Sequence, residues 1–317
     1  GYENEIVKCE EMIISATEPK CEFCDAKFIK APDVLDTWFS SALWPFATLG
    51  WPASAEASAG KPDKPSDLET FYPTQVLSTA RDIINLWVAR MVYSGLEFTG
   101  KIPFSDVIIH GTILTKDGKR MSKSLGTGID PMILIEKYGA DATRFGLIWQ
   151  AMGGQDIHWD ETAVMAGKKF ANKVWNISRF ILMNKPPQIN ADQNIEESGR
   201  NISVNPRLDP RKSASTNKED KEILEKLAAT KKSVSEQIDA YEFGQALHTL
   251  YDFTWHEFAD KYIELSKNRT DDNAKIILYS SLLEILKMLH PFMPHLTEEI
   301  YQNLPKKEKE MLMIEEW

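Results

Sequence analysis

The residues most suited to chemistry lie in one run, Ile108-Ile109-His110-Gly111-Thr112-Ile113-Leu114-Thr115-Lys116-Asp117-Gly118-Lys119-Arg120-Met121-Ser122-Lys123-Ser124-Leu125-Gly126. Asp117 and Gly118 both tolerate positive φ and make a hairpin-type turn. Just past that turn, Lys119, Arg120 and Lys123 set cations among small hydroxyl residues. Cations on a loop beside a nucleotide crevice suit a polyphosphate whose charge grows during reaction. A basic turn that only meets solvent is the plain alternative for such a composition.

The elements that must position this run are legible on both sides of it. The β-branched Val107, Ile108 and Ile109 read as a buried strand. His110-Gly111 falls where that strand ends, the place where open α/β sheets take ligands. Upstream, residues 70–79 have strand-like composition, and Asp82 opens a helix. Its apolar residues Ile83, Leu86, Trp87, Ala89 and Val92 cover most faces, as in a helix buried against a sheet. Strand, helix and strand make one unit. Downstream, Asp130 is an N-cap with Pro131 at the first helical position, and Gly139 separates that helix from another over residues 140–152.

From about Glu161 the pattern is helical throughout. Phe170, Val174, Ile177 and Ile181 recur at helical spacing, as do Leu282, Ile285, Leu286 and Leu289, with a break near Pro291-Phe292-Met293-Pro294. The fold class expected is therefore α/β followed by an all-α helix bundle. Two stretches read as linkers, Pro52 to Asp67 and Pro186 to Thr216, both poor in apolar periodicity. No internal repeat is visible.

The remaining features set bounds. A chain of 317 residues has room for about two domains with their own cores. Hydrophobic content of 43% and charged content of 26% are ordinary for a soluble globular protein. The longest apolar runs are far too short to span a bilayer, so no membrane partner is expected. A net charge of −10 leans mildly against nucleic acid, and any RNA contact must use local basic patches. Three cysteines argue against a disulfide framework and for a reducing compartment. Cys21 and Cys24 form a CxxC knuckle, two of the four ligands a structural Zn²⁺ needs; Cys9 is a candidate third. Asp33 to Phe46 is dense in aromatics, which is more often core than pocket.

The run Arg120-Met121-Ser122-Lys123-Ser124, set between His110-Gly111 and Asp130-Pro131, resembles the KMSKS signature of the class I aminoacyl-tRNA synthetases. Asp33-Val34-Leu35-Asp36-Thr37-Trp38-Phe39-Ser40-Ser41, Leu43-Trp44-Pro45-Phe46, Leu86-Trp87-Val88-Ala89-Arg90-Met91, Asn172-Lys173-Val174-Trp175-Asn176 and His290-Pro291-Phe292-Met293-Pro294 are similar to the valyl branch. The resemblance covers nearly the whole chain apart from the linkers. It implies the second half of a Rossmann-type nucleotide-binding domain, residues 33–160, carrying the KMSKS loop. Residues 1–32 would be a zinc-knuckle-like appendage from the editing insertion, and residues 161–317 a helical anticodon-binding domain.

The resemblance also implies ATP-dependent activation of valine and its transfer to tRNA(Val) by a cytoplasmic, monomeric enzyme using Mg²⁺, with Zn²⁺ a candidate at Cys21 and Cys24. Lys123 and Arg120 would stabilise charge on the phosphates, and His110, Gly111, Met121, Ser122 and Ser124 would contact the nucleotide. Trp38 and Trp87 would wall the valine pocket, and Asp82 would face the polar groups of the substrate. Lys168, Lys169, Lys173 and Arg179 are candidates for tRNA phosphates. Two departures stand out: Arg120 replaces the usual lysine, and Ala80-Arg81 replaces the usual Gly-Tyr before the aspartate. The family's HIGH motif has no match here, so the chain is expected to be a fragment that does not form valyl-adenylate by itself. An isoleucyl- or leucyl-type synthetase fragment and a non-catalytic tRNA-binding protein are the competing readings.

Overall fold

The computed structural model describes residues 13–15, 17–20, 27–51, 66–122, 126–184, 217–305 and 307–317. The expected knuckle at Cys21 and Cys24, the Cys9 candidate, both linker interiors, Lys123 and Ser124 lie outside them. The chain divides into two compact units, residues 1–74 with 83–105, and residues 75–82 with 106–317.

In the first unit, α1 (Thr37–Ala42) runs into α2 (Trp44–Leu49), which has Pro45 in its first turn. Phe46 is the hub of an aromatic cluster, with ring centroids 5.2 Å from Trp51, 5.2 Å from Tyr72 and 5.5 Å from Phe98. The core reading of the aromatics in residues 33–46 holds for Phe46, which is buried with Tyr72, and fails for Phe39 and Trp44, which are exposed; Trp38 is half-buried. Ser66 and Glu69 form a capping box that starts α3 (Asp67–Phe71). That corrects the sequence reading, which ran the linker through Asp67 and began a strand at residue 70. The box nucleates a helix, and Pro73, which has no N–H to donate, delays the strand β1 to Thr74–Ala80.

The helix expected from Asp82 is composite. A 3₁₀ turn (Arg81–Ile83) leads into a π-helical stretch (Ile84–Val88) and then into α4 (Ala89–Thr99). Of its apolar residues only Val88 and Met91 are buried, whereas Leu86, Tyr93 and Leu96 are exposed.

In the second unit β1 pairs with β2 (Phe104–His110), and β3 (Ile113–Leu114) pairs parallel with β4 (Ile157–His158). The expected burial of Val107 to Ile109 is not found. Val107 is 37% exposed, Ile109 36%, and Val76 on the neighbouring strand 40%. Among the described residues that sheet is two strands wide, too narrow to cover both of its faces.

The bundle follows α5 (Pro131–Tyr138) and α6 (Ala140–Gln150), the first capped by the Asp130 side chain. It comprises α7 (Glu161–Met183), α8 (Lys218–Asp239), α9 (Phe243–Asp252), a π-helical stretch (Phe253–Ile263), α10 (Glu264–Ser266), α11 (Asp272–Leu289) and α12 (Pro294–Gln302). Phe145, Phe170, Val174, Leu247, Leu250, Phe258, Leu282 and Leu286 are fully enclosed. The π-helical stretch buries Phe253, Thr254, Phe258, Ala259, Tyr262 and Ile263.

Polar groups tie these helices together. The Asp141 carboxylate accepts from the backbone N–H of His295 at 3.3 Å and of Leu296 at 2.6 Å, capping α12 from α6. Arg144 donates to the carbonyls of Pro291 and Phe292 at the end of α11. Asp220 has no exposed surface; it accepts from Tyr262 Oη at 2.7 Å and from Arg269 through both guanidinium Nη atoms. No helix among the described residues is long and apolar enough to cross a membrane.

Candidate active site

The candidate residues of the second unit converge where β1 and β2 end. β1 leads directly into Arg81-Asp82, and β2 ends at His110, whose Nδ1 lies 3.0 Å from the Gly111 carbonyl oxygen. The chain then passes through Thr112 into β3 and turns back through the hairpin. Thr115 N–H donates to the Lys119 carbonyl at 2.8 Å, and Gly118 N–H to the Thr115 carbonyl at 2.9 Å. Gly118 has a φ of 77°, as the Asp117-Gly118 turn requires. The return brings Arg120 into an antiparallel bridge with Leu114.

From that register the Arg120 guanidinium donates to Asp82 Oδ2 at 2.8 Å. That hydrogen bond is the main reason the Asp82 carboxyl sits below the usual carboxylate range. Asp82 and Arg120 line an open cleft with Arg81, Thr112, Leu114 and Asp156. Its polar lining is two cations facing two carboxylates, able to meet both charges of a zwitterion or the oxygens of a phosphate.

Gly111 is explained by contact. A Cβ there would lie 1.9 Å from the Gln155 carbonyl oxygen, so the 154–156 segment packs directly on the backbone after β2. Asp156 Oδ1 accepts from Thr112 N–H at 2.9 Å, and Ile157 N–H donates to the Thr112 carbonyl. On the far side of the hairpin, Ser122 N–H donates to Thr127 Oγ1 at 3.0 Å and Thr127 N–H to the Ser122 carbonyl at 3.2 Å. Thr127 thus brackets the signature loop; Met121 and Ser122 are half-buried at its entrance. Asp156, Thr127 and Arg81 are absent from the residues singled out in the sequence as site residues. Thr127 carries a weak signal as a hydroxyl beside a glycine turn. Asp156 carries none, because its partner is 44 residues away in the chain.

The two tryptophans belong to the first unit. Trp38 is half-buried on α1, and Trp87 Nε1 donates to the Ser41 carbonyl at the other end of that helix at 3.1 Å. Arg90 lies 3.7 Å from Asp36, the residue preceding α1. The ring orientation of Trp87 is therefore fixed by a hydrogen bond from its indole N–H, as is usual for a tryptophan removed from water.

Among the described residues no group of three His, Cys, Asp or Glu side chains is placed to hold a metal ion. For the candidate phosphate contacts of the bundle, Lys173 is engaged instead with Asp260 at 2.6 Å and lies over the Trp255 ring. Lys168 donates to the Lys137 carbonyl at 3.1 Å. Lys169 and Arg179 are exposed.

This arrangement has known counterparts. Residues 4–160 match the family model for tRNA synthetases class I (I, L, M and V), and residues 220–317 match the anticodon-binding domain of tRNA ligase. The chain belongs to the class I tRNA synthetases. Within that class it is similar to valine–tRNA ligases. It is 45% identical to that of Clostridium tetani over 95% of this chain and 32% of the relative. It is 44% identical to that of Pseudothermotoga lettingae over 98% and 33%. The chain thus spans about a third of the length of the curated relatives it matches. Among solved structures it shares its fold with the Agrobacterium radiobacter K84 LeuRS of a ternary complex with tRNA and LeuAMS. That match has a TM-score of 0.65 at 20% identity and covers 91% of this chain and 34% of that one. It also shares its fold with Mycobacterium tuberculosis methionyl-tRNA synthetase bound by methionyl-adenylate. There the TM-score is 0.57 at 19% identity, over 80% and 48%.

Proposed function

We propose that this chain is the catalytic and anticodon-binding portion of a valine–tRNA ligase, which activates valine with ATP and transfers it to tRNA(Val). The observation that carries the reading is the Arg120–Asp82 contact. It joins the signature loop to the aspartate at the end of β1 in a chain whose relatives are valine–tRNA ligases. In the first step a carboxylate oxygen of valine attacks the α-phosphorus of ATP, forming the mixed anhydride and releasing pyrophosphate. Negative charge builds on the phosphate oxygens, and Arg120 and Lys123 offset it electrostatically, with no covalent chemistry required of the protein. A terminal ribose hydroxyl of the tRNA then attacks the acyl carbonyl, and AMP leaves.

In this reading His110, Gly111, Met121, Ser122 and Ser124 contact the nucleotide, Asp82 meets polar groups of the substrate, and Trp38 and Trp87 wall the valine side chain. Residues 33–160 form the catalytic part, 161–317 the anticodon-binding part, and 1–32 an appendage. The enzyme acts as a monomer in the cytoplasm. Mg²⁺ would accompany ATP and would neutralise phosphate charge there; among the described residues no group of three His, Cys, Asp or Glu side chains is placed to hold it. Cys21 and Cys24 are the candidates for Zn²⁺.

The test is ATP–pyrophosphate exchange by the natural full-length protein with valine, isoleucine and leucine. Valine should support the fastest exchange. Faster exchange with isoleucine or leucine, or none with any of the three, would overturn the assignment.

A further inference from the structure

Arg81 lines the open cleft beside Asp82 and Arg120, and its side chain reaches to the turn at residues 154–156. It leaves the end of β1, and its Nη2 donates to the Gly154 carbonyl at 3.0 Å and lies 3.5 Å from Asp156 Oδ1. That same Asp156 oxygen accepts from Thr112 N–H. The segment held in this way is packed without slack. The Gln155 carbonyl fills the space a Gly111 side chain would need, and a Cβ on Gly154 would touch the Ile109 carbonyl oxygen at 3.4 Å. Thr112 opens into β3, β3 pairs with β4, and Leu114 bridges to Arg120.

The connections close on themselves. Arg81 grips the 154–156 turn, the turn grips Thr112, β3 carries the hairpin, and Arg120 returns to Asp82, the neighbour of Arg81. We infer that Arg81 is a positioning residue of this site: by holding the 154–156 turn against the backbone after β2, it fixes the base of the loop that carries Arg120. An exposed ion pair of this kind adds little stability, so the contribution is geometric. The residue type fits the task. A guanidinium presents several donors in a rigid fork and serves a carbonyl and a carboxylate together, whereas a phenol has one proton to give.

The kinetic part of the test rests on the proposed function, and a structural part does not. In the natural full-length protein, Arg81→Ala should lower kcat for valine-dependent pyrophosphate exchange about tenfold, because small misplacements of charge-stabilising groups act on the transition state. KM for valine should stay within about twofold, since the Arg81 guanidinium is taken up by Gly154 and Asp156 while Asp82, Trp38 and Trp87 are unchanged. Arg81→Lys should recover part of the loss. Asp156→Asn keeps the acceptor for Thr112 and removes the charge, so the double variant Arg81→Ala/Asp156→Asn should be no slower than Arg81→Ala alone. Losses that multiply, or an unchanged kcat, would overturn the inference.

Independently, amide hydrogen exchange across residues 112–122 should speed up in Arg81→Ala and largely recover in Arg81→Lys. Unchanged exchange there would sink the positioning role even if the wild-type protein proved to have another activity. No exchange of pyrophosphate by the wild type would refute the proposed function alone.

Discussion

Asp82 and Arg120 hold each other, and both are largely in water, 52% and 74% exposed at the side chain. Their attraction is therefore screened, and its worth is in orientation more than in stability. The carboxyl of Asp82 is held low chiefly by the Arg120 hydrogen bond. The sign follows: whatever stability the pair supplies is present above the ordinary aspartate range and is lost as pH falls through the depressed value in the folded protein. Arg120→Ala should raise the Asp82 carboxyl toward the ordinary range, read by carbon NMR of its carboxyl. A titration unchanged by the substitution would mean that the contact is absent in solution.

At this scale the sequence was informative where a residue type is rare and local. The Asp117-Gly118 turn, the cations beyond it and Asp82 are all visible along the chain. Arg81 and Asp156 were not, because their partners are 73 and 44 residues away, and no short-range pattern reports such a meeting.

Several helices start at a side-chain cap. Asp130, Asp160, Asn217 and Asp271 each accept a backbone N–H at the first turn of a helix, and the first of these was evident from the Asp-Pro pair. Strand β4 escaped notice because two residues carry no period, and it exists through pairing with β3 alone. The burial of β2 was misjudged for a related reason: β-branched composition reports strand propensity, and burial depends on what lies across the sheet.

One inter-element contact deserves a stability test. Asp141, buried in α6, caps α12 with two accepted hydrogen bonds. Asp141→Ala should cost about 1–2 kcal/mol, the usual range for a lost cap, and lower Tm by a few degrees. A melting temperature equal to that of the wild type would show that α12 needs no cap from α6.

For the molecule as a whole, the helical second half was the most legible part. Its apolar residues recur every three to four positions over long stretches, and those same residues, Phe170, Val174, Ile177 and Ile181, are buried in α7. Net charge was the least useful whole-chain property, since −10 describes a sum and says nothing about placement. A carboxylate is enclosed in the bundle at the start of α8, Asp220, matched by Arg269 and Tyr262. Burial, then the hydrogen bond to Asp220, pushes the Tyr262 phenol upward, so it remains a donor under ordinary conditions. Removing the guanidinium with Arg269→Met should strand the carboxylate and destabilise the fold by about 3–5 kcal/mol. Denaturant unfolding would measure it. The double variant Arg269→Met/Asp220→Asn should be less damaged than the single one, and an equal or larger loss would refute the buried-charge explanation.

The stretch Phe253–Ile263, with its i→i+5 hydrogen bonding, also bears on which changes of length the gene can accept. In an ordinary α-helix, losing one codon turns everything downstream by about 100° and carries core residues into solvent. A π-helical stretch holds surplus backbone, so a one-residue deletion can be absorbed by tightening to α-helix. Arg269, just beyond, then keeps its place opposite Asp220. A one-residue deletion here should therefore lower Tm by less than one made in the middle of α7.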